Sequence, residues 1–236
     1  MKLVSGARPC TKTILSVSPH ADDVELGCGG YLARRAREGA EIRSLVMSTS
    51  TIEHPHGGKV TSQTRMDEAF AAADVLGMAS VERLFEGKDS LLDTIPLREL
   101  IDALVGKIAE YQPCEILIPL PSSHQDHVQT YKACIAATRP TALPASVKMI
   151  AAYEYPTSGW GEGASEVGKG GRYVELDEEL MEKKAAALAC YKSQMREGFE
   201  PYSIRAARAL AHMRGMECGL EYAELLHVVR SLQRLS

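Results

Sequence analysis

Near its start the chain sets a short apolar run, a helix-spaced segment and a second apolar run one after another, with almost nothing between them. The run "TILSVS" (13–18) is short, β-branched and apolar, the composition of a buried strand. "VELGCGGYLARRARE" (24–38) has helical spacing and ends in charge before Gly39, and "EIRSLVMSTS" (41–50) supplies a second strand. A strand–helix–strand opening is the mark of a parallel α/β sheet. The later pattern agrees: helices are expected at 64–78, at 97–113 where a proline stops it, and at about 128–138, with strands at 115–120 and 147–155. The glycine-rich stretch 156–171 reads as a loop and 177–195 as a long helix, acidic at its start and basic later. From Phe199 onward the chain reads as largely helical, with 222–230 open to helix or strand. The expected fold is therefore α/β, a Rossmann-like and mostly parallel sheet flanked by helices in three α/β/α layers. With 236 residues and no internal repeat or convincing linker, one domain over 1–236 is expected.

Composition removes several classes of function. Formal net charge is −4, from 31 acidic and 27 basic residues, and no block of like charge stands out, so no nucleic-acid partner is expected. No apolar run approaches the ~20 residues that cross a bilayer. The opening "MKLVSGARPCTK" lacks the apolar core of a signal peptide. Six cysteines without a C-x-x-C pair read as reduced and mostly packed, and the expected location is the cytoplasm.

Two clusters carry chemistry, and both follow expected strands, where open parallel sheets place ligands. "SPHADD" follows the strand at 13–18, and "SSHQDH" follows the strand at 115–120. On their own, Asp22 and Asp23 also suit the N-cap and first turn of a helix. The following "GCGG" is not a G-x-G-x-x-G phosphate loop, and the acidic pair before it would repel a diphosphate. Close helix–sheet packing is the better use for those glycines. A catalytic zinc takes three protein ligands and leaves one position open. His20, Asp23 and His127 would supply two imidazoles and a carboxylate, a set that also suits ferrous iron or another divalent metal.

"PHADDVELGCGG" together with "HQDH" resembles the LmbE-like (PIG-L) family of zinc-dependent de-N-acetylases, whose pattern is H-P-D-D-x-x-x-G-x-x-G followed much later by H-x-D-H. Supporting likenesses are "RMDEAFAAADVLG" (65–77), "YE" (153–154), "KSQ" (192–194) and "YAE" (222–224). Ala21 and Gln125 stand where the family usually has proline, a matter of loop stiffness rather than ligand chemistry. The resemblance implies that His20, Asp23 and His127 hold the metal and that Asp22 is the general base toward zinc-bound water. It implies His124 as the donor to the oxyanion, with Asp126 orienting that imidazole or else capping the next helix. Either Asp22 or His124 would protonate the departing amine. The implied reaction is removal of an N-acetyl group from an N-acetylglucosamine-type amino sugar or glycoconjugate. Family members are often trimers or hexamers.

Other polar residues have two readings each. Arg65 would hold a substrate hydroxyl or phosphate, or be a solvated helix-terminal arginine. Glu25 would steady a ligand histidine, or be a plain first-turn acid. His54 and His56 would line an entrance, and Trp160 would stack on a sugar, or all three belong to ordinary loops. The competing functions are an amidohydrolase of the same scaffold on another small amide, a catalytically idle binding subunit, and a non-hydrolytic Rossmann-type nucleotide-binding protein.

Overall fold

The computed structural model describes residues 13–54, 58–158, 171–198 and 200–233; His56, Trp160 and the His54 side chain lie outside them. The chain order is β1 (Thr13–Ser18), α1 (Asp23–Arg37), β2 (Glu41–Thr49), β3 (Ile52–His54), β4 (Gly58–Val60), α2 (Ser62–Leu76) and β5 (Ser80–Glu86). A short 3-10 turn at Leu92–Thr94 then leads to α3 (Leu97–Tyr111), β6 (Glu115–Pro119), α4 (Gln125–Ala137) and β7 (Met149–Tyr153). The chain finishes with β8 (Gly171–Leu176), α5 (Glu178–Leu188), α6 (Ile204–Cys218) and β9 (Tyr222–Ser231).

Seven strands form one sheet in the order β5-β2-β1-β6-β7-β9-β8. The first five run parallel, and β9 runs antiparallel to both β7 and β8. This is the mostly parallel α/β sheet that the sequence predicts. Its inner strands are almost wholly buried because helices cover both faces. Alternation along each strand sorts the side chains: Ile14, Ile42 and Leu117 pack with α1, α2 and α5, while Leu15, Leu45 and Ile116 pack with α3 and α4. The result is three layers.

Strand β1 pairs with β2 on one side and β6 on the other, from Ile14↔Glu115 to Ser16↔Leu117 on the β6 side. The helix after β1 lies on one face, and the helix leading into β6 lies on the opposite face. The carboxyl ends of β1 and β6 therefore flank a crevice where the winding changes direction, the usual ligand position in such sheets.

The structure adds to the sequence reading and in places departs from it. β5 and β8 are edge strands that the pattern did not reveal, and β3–β4 form a small hairpin between β2 and α2. The segment 222–230, left open, is strand β9. The long helix at 177–195 ends instead at Leu188. Beyond it, the Tyr191 hydroxyl donates to the Ala21 carbonyl at 2.5 Å, and Ser193 donates from both N and Oγ to the Glu68 carboxylate, at 2.8 and 2.5 Å. These bonds hold the chain in turns where helix periodicity would have continued. Among the described residues, no helix is long and apolar enough to cross a membrane.

Candidate metal centre

The loop leaving β1 turns sharply into α1. Asp22 occupies the N-cap position but makes no side-chain capping bond. Asp23 performs the local work: its Oδ2 accepts the His20 N–H at 3.0 Å and lies 3.2 Å from His20 Nδ1. From the first turn of α4, His127 Nε2 reaches the same Oδ2 at 3.3 Å. Ligating atoms of His20, Asp23 and His127 all lie within 4.8 Å of one another, and all three residues are buried or nearly so. Two imidazoles thus approach one carboxylate oxygen from different elements. The His127 Nδ1 is buried and has no hydrogen-bond partner among the described residues. This set of two imidazole nitrogens and one carboxylate oxygen fits zinc or ferrous iron.

Burial alone would raise the Asp23 carboxyl, but the charge and hydrogen bonds of His127 and His20 outweigh it and hold the group well below the ordinary carboxylate range. Asp22 lacks those partners. Burial first, then the Asp23 charge, push its carboxyl up to about 6, with Arg65 and His20 opposing. Burial pulls the His20 imidazole down, yet Asp126, Asp23 and Asp89 together raise it to about 10.

Asp126 and His127 sit in the first turn of α4, which begins at Gln125 rather than near Val128. The N-cap is His124, whose Nδ1 accepts the Asp126 N–H at 3.2 Å. Burial, aided by His20 and His127, lowers the His124 pKa and so favours the neutral ring, and with Nδ1 accepting the Asp126 N–H it is Nε2 that is free to donate. Among the described residues the Asp126 carboxylate makes no hydrogen bond to the His124 ring, although the two groups lie near each other, and it does not cap the helix. It takes the Ser90 and Leu92 N–H groups, at 2.6 and 3.0 Å, and lies 3.0 Å from His20 Nε2. His20, His124 and Asp126 also lie close enough to share an ion. There, however, His20 and Asp126 already bond each other, an arrangement that orients a ligand imidazole.

A cavity of about 330 Å³ opens beside these groups, lined among others by Asp22, Arg65, Asp89 and His124. Arg65 is not a solvated helix-terminal arginine: it is 4% exposed and paired with Asp89. Glu25 is buried, and burial pushes its carboxyl up to about 8; no hydrogen bond joins it to a ligand histidine among the described residues. Sequence reasoning missed Asp89, Ser90, Arg196 and Tyr202, which line the cavity, and Tyr155, whose ring lies 4.7 Å from that of His127. "EGKDS" would have pointed to Asp89 had β5 been recognised, because it follows a third strand end.

The sequence and fold have known counterparts. The chain is 30% identical to the uncharacterized deacetylase YaiS of Escherichia coli over 191 residues, covering 77% of this chain and 91% of that protein. It is 27% identical to the diacetylchitobiose deacetylase of Thermococcus kodakarensis, covering 92% of this chain and 83% of that protein. The crystal structure of the conserved protein TT1542 from Thermus thermophilus superposes with a TM-score of 0.72 at 25% identity, covering 94% of this chain and 96% of that one. The family model PIG-L, described as GlcNAc-PI de-N-acetylase, matches residues 15–138 and so takes in both histidine–aspartate clusters. The chain belongs to the PIG-L family.

Proposed function

We propose that the chain is a metal-dependent deacetylase that hydrolyses the N-acetyl group of an N-acetylglucosamine-type amino sugar and releases acetate. Family membership and the deacetylase relatives support the reaction class. The observation that carries the reading is the meeting of His20 and His127 on one Asp23 oxygen, beside a cavity that also holds Asp22.

Held by His20, Asp23 and His127, a divalent cation such as zinc supplies Lewis acidity toward an amide carbonyl and makes a neighbouring water more acidic. Asp22 is the general base. Its carboxyl, which burial and the Asp23 charge hold above the ordinary carboxylate range, takes a proton from the attacking water and then returns that proton to the departing nitrogen. His124 presents Nε2–H as a donor to the developing oxyanion. Asp126 fixes the His20 ring, and Arg65, braced by Asp89, is placed to hold a sugar hydroxyl. The "GCGG" stretch lies inside α1 rather than before it and so forms no phosphate loop, which weighs against the nucleotide-binding alternative.

The test is product analysis on zinc-loaded protein given N,N′-diacetylchitobiose, N-acetylglucosamine and a series of glucosamines carrying other acyl groups. Acetate and a free amine are expected, with turnover abolished by a chelator and restored by zinc. Turnover confined to the other acyl groups would favour the broader amidohydrolase, and zinc-loaded protein that cleaves no amide would refute the proposal.

A further inference from the structure

Helix α1 carries Asp23 at its first position, and it is not one continuous helix. Cys28 leaves helical geometry, with φ −136° and ψ 21°, and divides the helix into two short pieces. The pieces press on different strands. A Cβ on Gly27 would stand 2.2 Å from the Tyr153 ring on β7 and 2.7 Å from the Glu154 carbonyl, while one on Gly30 would stand 2.5 Å from Leu176 on β8. Just past the break, the Glu224 carboxylate of β9 accepts the Gly30 N–H at 2.9 Å and the Tyr31 N–H at 2.6 Å. This is the position of a capping carboxylate at a new helix start. Lys184 of α5 donates to the same carboxylate at 2.6 Å, and both side chains are 2% exposed.

We propose that the buried Lys184–Glu224 pair is a positioning device for the metal centre: it anchors the second piece of α1, so that the first piece holds Asp23 against His20 and His127. Two other bonds fix the same turn from below and from the side. The Tyr153 hydroxyl donates to the Val17 carbonyl at 2.9 Å, and Tyr191, carried just beyond α5, donates to Ala21. The ligand turn is therefore clamped between β7 and the α5 segment, and Glu224 sets where α1 enters that clamp. A buried ion pair is a weak source of net stability, since desolvation offsets most of its attraction. Its use here is geometric. Replacing Glu224 by glutamine leaves one acceptor oxygen for two N–H groups and strands the Lys184 charge. Pairing that change with Lys184→Met removes the stranded charge and keeps the geometric defect.

The inference rests on the assignment of His20, Asp23 and His127 as metal ligands. Zinc affinity, measured by competition with a chromophoric chelator, and the visible spectrum of cobalt-loaded protein are compared for wild type, Glu224→Gln and the Lys184→Met/Glu224→Gln double variant. Leu104→Ala, in α3 on the opposite face of the sheet, is the control for simple loss of stability. Both Glu224 variants are expected to bind zinc about tenfold or more weakly and to show a shifted cobalt spectrum, as when a group that orients a ligand is lost. Leu104→Ala is expected to lower Tm with zinc affinity and cobalt spectrum unchanged. Glu224 variants with lowered Tm but wild-type affinity and spectrum would overturn the inference alone. Wild-type protein that binds no zinc would overturn it together with the ligand assignment.

Discussion

Asp22 and Asp23 share a peptide bond, yet their carboxyls are driven in opposite directions. Both are buried, so desolvation raises both; only Asp23 has imidazoles on either side to reverse it. Under the proposed mechanism this division would separate a ligand from a base. Asp22→Asn is expected to lower kcat by about 100-fold or more while zinc content stays at the wild-type level, as measured by turnover and metal analysis of the same preparation. The paired histidines and aspartates could be read from the sequence because strand-end loops rich in such residues have few other uses. The partner of Asp126 could not: neighbours in sequence made His124 the obvious choice, whereas the fold turns the carboxylate toward His20 and the backbone of 90–92.

At the scale of elements, the strands that were legible are the ones buried on both faces, such as β1 and β6, where nearly every residue is buried and β-branched or other apolar residues recur. β5 escaped because "SVERLFE" mixes charge into a half-buried edge, and β8 because it adjoins a glycine-rich stretch. The early end of α5 was equally hidden, since it depends on Tyr191 and Ser193 finding partners in distant elements. The join between β7 and α6 gives a prediction. Arg214 grips both oxygens of the buried Glu154 at 2.6 and 2.7 Å. Burial opposes ionisation of Glu154, but the His227 imidazole 3.8 Å away and the Arg214 hydrogen bonds outweigh it, so its folded pKa lies below the unfolded value. Stability from this pair is thus present above the unfolded carboxyl pKa, about 4.3, and is lost as pH falls through the folded pKa. Arg214→Met is expected to cost about 3 kcal/mol in urea unfolding at pH 7, and the gap from wild type should shrink below about pH 4. A gap independent of pH would contradict the assignment.

For the whole molecule, the decisive fact is the adjacency of β1 and β6, which brings together two loops that are far apart in the chain. Hydrophobic patterning announces strands but not their order, so it made the fold class legible, while the meeting of the two clusters was legible only through the family resemblance. Helices on opposite faces leave the crevice between these strands open, and the site occupies it. The central claim is that His20, Asp23 and His127 together grip one divalent ion. Metal analysis of purified, zinc-reconstituted protein tests this most directly. The account predicts about one zinc per chain in wild type and in Asp22→Asn, and its loss in His20→Ala, Asp23→Ala and His127→Ala variants that remain folded by circular dichroism. Stoichiometric zinc that survives removal of Asp23 or of either histidine, or wild-type protein that takes up none, would contradict it.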